Sequence, residues 1–322
     1  MKEYLFSIEK RTKSFVWVLA ILSLVSVVSF LILLQNERTT SAADNSLVNK
    51  YDPFENLDLE AKSAFILDIV NNRVIYSKNS SESLPLASLT KVMTAITTKE
   101  SVAKDKDIII TSDYLTPEGD SGLIPGDRWK ISDLLDFTLL TSSNDGAKAL
   151  AAASAVSIFG TQANGKEETL FVSLMNDEAN KIGLTNTRFF NEHGLDRAEE
   201  KGGAYGSAED MAKLFEYALI NHSDLLDATK YDVLGFLSSR RVYMGENTNK
   251  FVYKIPNIIA SKTGFTDLAG GNLIVAFDPG LNRPIIVSVL GSSEEGRFAD
   301  MLKLVHATMQ SIELESATEN KN

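Results

Sequence analysis

The chain has 322 residues, 32 Lys and Arg against 43 Asp and Glu, a net charge of −11 and no Cys. Without Cys there are no disulfides, Cys-ligated zinc, iron–sulfur clusters or thiol catalysis. The three His, at 193, 222 and 306, form no pair at metal-ligand spacing, and the acidic balance argues against a nucleic-acid partner, so no metal, cofactor or nucleic acid is expected.

Residues 1–40 depart from the acidic average. Five basic residues (Lys2, Lys10, Arg11, Lys13, Arg38) face three acidic ones (Glu3, Glu9, Glu37), a net of +2 that leaves −13 for the rest. Residues 1–13 read as a cytoplasmic N-terminus. Ser14–Leu34 carries no charge, and its 21 residues match the roughly 30 Å hydrocarbon core of a bilayer. Lys10, Arg11 and Lys13 just before it place the N-terminus inside and the remainder outside. The expectation is therefore a membrane anchor at 14–34. The rival is a cleaved signal peptide, for which Ser41-Ala42-Ala43 offers small residues at a cleavage position.

Residues 35–60 read as a polar linker and 61–314 as the working domain. Two β-branched runs between Ala64 and Tyr76 flank Asn71-Asn72, a hairpin signal. Leu86 to about Val102 reads as a helix with Leu89, Val92, Met93 and Ile96 on one face. Ile131–Leu140 and Asp145–Val156 read as two helices broken at Thr141-Ser-Ser-Asn144. Glu167–Ile182 stops at Gly183, and Ser207 caps a helix through Leu219. Ile258–Thr263, Asn272–Phe277 and Ile285–Leu290 read as strands. A final helix, Glu294–Leu314, turns Phe298, Met301, Leu302, Val305, Met309 and Ile312 inward, and 315–322 is a polar tail. Strands at both ends and helices between predict a mixed α/β (α+β) domain, one sheet built from both ends with a helical region inserted.

Two motifs mislead. Gly119-Asp120-Ser121-Gly122 imitates a serine-protease nucleophile, but no His precedes it, so a surface turn is expected. Gly160 to Lys166 imitates a phosphate loop, yet Glu167 stands where a hydroxyl is needed. Three SxxK sequences occur: Ser7–Lys10, Ser88–Lys91 and Ser101–Lys104. Ser7 falls on the cytoplasmic side, and Ser101 opens a charged stretch. Ser88 starts an amphipathic helix, where Ser88 and Lys91 share a face one turn apart. Downstream come Ser142-x-Asn144, in the break between helices, and Lys262-Thr263-Gly264 on a late strand. SxxK, SxN and KTG in that order are the set used by penicillin-recognising serine acyl-transfer enzymes.

On these residues the sequence resembles the D-alanyl-D-alanine carboxypeptidases, the low-molecular-weight penicillin-binding proteins. Pro85–Thr94, Thr141–Ala147, His193-Gly-Leu-Asp196 and Lys262–Thr266 each match, over about Ala61–Leu314. The resemblance implies a β-lactamase/transpeptidase-like fold: a five-stranded antiparallel sheet flanked by helices, with a helical subdomain. Many family members add a β-rich C-terminal domain and a terminal membrane helix; here the N-terminal span is expected in place of that anchor. Glu192 stands where the family commonly has Pro.

The chemistry implied is acyl transfer from a D-Ala–D-Ala amide. Ser88 is the nucleophile. Without a suitable His, neutral Lys91 is its base, its pKa depressed by burial and by Lys262 as a second cation. Ser142 relays a proton to the leaving amine, and Asn144 holds Lys91 and the substrate amide. Lys262 and Thr263 bind the terminal carboxylate. Gly264 lets the substrate lie close, and the N–H groups of Ser88 and Phe265 form the oxyanion hole. Arg297 either reinforces carboxylate binding or is a solvated charge at a helix start, and His193 is expected to be structural. Glu192 is read as an exposed loop residue. Its rival reading, a partial match of Glu192-x-x-Leu195-Asp196 to the segment by which some β-lactamases position water, needs Asn where Asp196 stands. The implied activity is a carboxypeptidase acting on peptidoglycan stem pentapeptides, with β-lactams as covalent inhibitors. A D,D-endopeptidase, a serine β-lactamase and an inactive peptidoglycan-binding scaffold are the alternatives.

Overall fold

The computed structural model describes residues 26–27, 52–280 and 282–319. The chain divides into two units, Met1–Asp52 and Pro53–Asn322. The expected span at 14–34 lies outside the described residues except for Ser26 and Val27, and no described helix is long and apolar enough to cross a membrane.

The main sheet of the second unit has five strands: β1 (Ser63–Asp68), β2 (Arg73–Lys78), β3 (Ile258–Thr266), β4 (Gly270–Phe277) and β5 (Ile285–Ser292). Their order is β3-β4-β5-β1-β2, every neighbouring pair antiparallel. The first hairpin thus joins the last three strands along the β1–β5 seam, as the strand order along the chain predicts. β1, β4 and β5 read as continuous apolar runs because both faces of the sheet are covered. Phe65 and Leu67 of β1, Ile274 and Ala276 of β4, and Ile286 and Leu290 of β5 face one core. Ala64 and Ile66, then Leu273, Val275 and Phe277, then Ile285, Val287 and Val289, face the other.

Among its described residues the unit has six α-helices: α1 (Thr90–Ser101), α2 (Ile131–Thr141), α3 (Asn144–Phe159), α4 (Glu167–Ile182), α5 (Ala208–Asn221) and α6 (Gly296–Glu319). α5 and α6 contact β5, α5 within the first core and α6 within the second. α6 runs past the expected end at Leu314, since Glu315 pairs with Arg73 and Arg283. α1 is not one-sided as its pattern predicts: Thr90 to Thr98 are buried without a break. Two of its buried hydroxyls bond to backbone carbonyls, Thr90 donating to that of Ala87 (2.7 Å) and Thr94 to that of Glu192 (2.5 Å). Short strand pairs escaped the sequence reading: Leu84–Pro85 with Ala204–Gly206, Asp107–Ile109 with Arg128–Lys130, and Val233–Leu237 with Val242–Glu246. In the first two pairs, two or three residues are too few for a period of two to emerge.

Candidate active site

A 3₁₀ turn, Ala87–Leu89, carries Ser88 into α1, with Ala87 in the left-handed region at φ 49°. Two elements fix this turn. Asn272 of β4 donates from Nδ2 to the carbonyls of Pro85 and Leu86, both at 3.0 Å. Gly264 of β3 lies against it so closely that a Cβ there would stand 2.8 Å from the Leu86 carbonyl oxygen and 3.1 Å from the Ser88 nitrogen. The glycine of Lys-Thr-Gly therefore makes room for the loop that carries Ser88. Gly194, at φ 87°, closes the other side; a Cβ there would sit 1.9 Å from the Ala87 carbonyl oxygen.

One turn along α1, Lys91 is 1% exposed. Its Nζ lies 2.8 Å from Ser88 Oγ, 2.6 Å from Asn144 Oδ1 and 2.7 Å from the His193 carbonyl oxygen. Burial pulls its pKa down to about 7, opposed by the negative charge of Glu192. The expected pair of Ser88 and base is thus assembled. Burial, with the like charges of Lys91 and Arg297, also holds the Lys262 amine well below the lysine range. Coulomb repulsion between two buried ammonium groups is mutual, so it disfavours the charged form of both lysines.

α2 ends at Ser142, which takes a left-handed conformation (φ 60°, ψ 34°), and Ser143 caps α3 by accepting from Gly146 N. This break turns Ser142 and Asn144 toward the same space. Lys262 donates to Ser142 Oγ at 2.8 Å, so each serine has a lysine. Asn144 accepts from Lys91 as expected, while its Nδ2 donates to the Glu118 carbonyl (2.6 Å). The Gly119–Gly122 turn edges the site, with Ser121 bonded to Asp145 and Ser143 and no base beside it.

Thr263 donates to Thr248 Oγ1 (2.6 Å), and Phe265 is exposed on the same strand. Arg297 is buried, not solvated. It donates to the Gly264 carbonyl at 2.9 Å, with its guanidinium 4.8 Å from the Phe298 ring centre and 5.9 Å from that of Phe265. It braces the Lys262–Phe265 strand from behind.

The His193 ring accepts from Leu195 N, and its pKa is pushed down to about 3 by burial, Lys91 and Lys148, so it is neutral. Its contribution to the site is a carbonyl oxygen, which no side-chain pattern announces. The reading of Glu192 as exposed is overturned: the residue is 1% exposed. The turn that points the His193 carbonyl at Lys91 folds the preceding side chain inward. Thr248 and Asn272 were likewise missed; neither belongs to a recognisable motif.

A sequence profile of the D-alanyl-D-alanine carboxypeptidase family matches residues 49–294, and the chain belongs to that family. It is 32% identical to the D-alanyl-D-alanine carboxypeptidase DacF of Bacillus subtilis over 256 residues, 76% of this chain and 61% of the relative. It is 29% identical to the D-alanyl-D-alanine endopeptidase of Escherichia coli over 256 residues, 77% of this chain and 76% of the relative. The chain spans about three fifths of the length of the first carboxypeptidases it matches. Among solved structures, penicillin-binding protein D2 of Listeria monocytogenes in its ampicillin-bound form aligns with a TM-score of 0.63 and 26% identity, covering 78% of this chain and 98% of that one.

Proposed function

We propose that this chain is a serine D-Ala-D-Ala carboxypeptidase that removes the terminal D-Ala of peptidoglycan stem pentapeptides through an acyl-enzyme on Ser88. The observation that carries this reading is the set of three acceptors around Lys91 Nζ. A neutral amine has two hydrogens and one lone pair. Asn144 Oδ1 and the His193 carbonyl take the hydrogens, so the lone pair faces Ser88. Lys91 then takes the Ser88 proton as Oγ attacks the carbonyl carbon of the penultimate D-Ala. The N–H groups of Ser88 and Phe265 receive the oxyanion. As the C–N bond breaks, Ser142 gives its proton to the departing nitrogen and is resupplied by Lys262. Lys262 and Thr263 hold the terminal carboxylate, with Arg297 reinforcing that strand. Between the half-reactions the proton on Lys91 passes through Ser142 to Lys262, restoring both lysines; Lys91, again a free amine, then takes a proton from the water that attacks the ester and delivers it to Ser88 Oγ as the C–O bond breaks. β-Lactams present the same acyl carbon and acylate Ser88.

The reading is tested by product analysis on a stem pentapeptide, where D-Ala and the tetrapeptide are expected. No release would reject it. The likeness to an endopeptidase favours a second reading, cleavage of cross-linked dimers; faster release from dimer than from pentapeptide would establish that one instead.

We infer also that residues 14–34 anchor the protein in the cell membrane with the catalytic domain on the extracytoplasmic side, from the uncharged run behind Lys10, Arg11 and Lys13. Protease treatment of spheroplasts is expected to release the domain and leave an N-terminal fragment in the membrane. A mature protein beginning near Asp44 would show a cleaved signal.

A further inference from the structure

Behind the serine–lysine pair lies an acidic group with no part in the acyl transfer described above. Glu192 is fully enclosed, and its Oε2 has no hydrogen-bond partner among the described residues. Its Oε1 is 3.8 Å from His193 Nε2, and that ring is neutral. The carboxyl thus sits inside the protein without a bonded cation. Its own backbone is tied to α1 on both sides: Thr94 donates to the Glu192 carbonyl and Lys91 to that of His193. The group is therefore locked to the helix that carries the base.

The charged groups facing Glu192 are few. Burial, with the negative charge of Glu168 of α4, brings its pKa up to about 7, against its own backbone N–H, Lys148 of α3 and Lys91 of α1, which favour the carboxylate. The residue lines a cavity of about 460 Å³ that Lys148 and Glu168 also line, to which Asp113, Tyr114, Lys166 and Glu167 add charge or a phenol. Ser88, Ser142 and Lys262 do not line it. Solvent protons thus have a route to Glu192 that a substrate in the cleft does not block.

We propose that Glu192 is a positioning residue acting through Lys91: its buried carboxyl is the counter-charge against which the Lys91 amine gives up and regains its proton. Glu192 makes no bond to the amine, whose three partners are already named, and acts by its field across the buried space. The carboxylate favours the ammonium form of Lys91, so that Lys91 becomes the free base at a higher pH than it would beside a neutral residue. This deepens the proposed function and rests on Lys91 being the base.

The test is the rate of acylation by a fluorescent penicillin, measured from pH 5 to 9 on the full chain. In the wild type the rate is expected to rise with pH through a midpoint near 7, the pKa of Lys91. In Glu192→Gln the midpoint is expected to fall by about one pH unit, so that acylation at pH 6, relative to the plateau, is about fivefold faster. Glu192→Asp, which keeps the charge, is expected to restore the wild-type midpoint. Lys148→Met gives a second arm on a half-buried residue outside the pair. Without Lys148, Glu192 binds its proton more tightly and the midpoint moves down. Direct loss of a positive charge near Lys91 would move it up. An unchanged midpoint in Glu192→Gln, with only the plateau lowered, overturns the proposal, and so does an upward shift in Lys148→Met. If Glu192→Gln does not fold, the direction of the Lys148→Met shift decides alone. A wild-type protein that takes no label at any pH rejects the proposed function, and this inference with it.

Discussion

Ser88→Ala is expected to abolish covalent labelling by penicillin and to lower D-Ala release by a factor on the order of 10⁴ or more. Mass spectrometry of the wild type should place the adduct on the peptide containing Ser88, and the variant should show none. The large effect follows from the surroundings of the other serines. Ser142 is bonded to Lys262, the lysine that the proposed mechanism commits to the substrate carboxylate. Ser121 has only Asp145 and Ser143 as partners, neither a base for a hydroxyl at neutral pH. Ser101 closes α1 at the far end from Lys91. Full labelling of Ser88→Ala would transfer the nucleophile elsewhere.

Lys91→Arg should be nearly as damaging, a loss on the order of 10³-fold in acylation. Lysine and arginine carry the same charge, but guanidinium stays protonated and cannot accept the Ser88 proton. The wild-type profile carries the sign of the effect. With a pKa near 7, Lys91 is mostly free amine above that pH and mostly ammonium below it. The rate is therefore expected to fall about tenfold for each pH unit below the midpoint. Lys91→Arg should lose this limb together with the rate. Near-normal acylation in the variant would mean that Lys91 is not the base.

The catalytic motifs were legible because they are local. Ser88 and Lys91 need only one helical turn between them, and Ser142 and Asn144 only one break between helices. The sheet strands were legible because burial on both faces leaves unbroken apolar runs such as Leu273 to Phe277. Glu192 was not legible. An acidic residue in a turn reads as solvated, and only the packing of α1, α3 and α4 around that turn removes the water. Arg297 sits between its two readings: it is placed at the site, yet its bond goes to the Gly264 carbonyl, a partner with no side-chain signature. Gly264 drew the right attention for a different contact, since the close neighbour lies 178 positions earlier in Leu86.

The brace from Asn272 to Pro85 and Leu86 spans 187 and 186 positions, and the bond from Lys262 to Ser142 spans 120. Contacts of such sequence separation form late, after the entropy of closing long loops has been met. A chain emerging N-terminus first presents Ser88 and Lys91 long before β3, β4 and β5 exist to shape their turn. Until β3 reaches that turn, Ser88 lacks its glycine platform and Ser142 its lysine. With Ser88 as the proposed nucleophile, a penicillin label is expected to count only those molecules in which β3 and β4 have closed over the Ser88 turn.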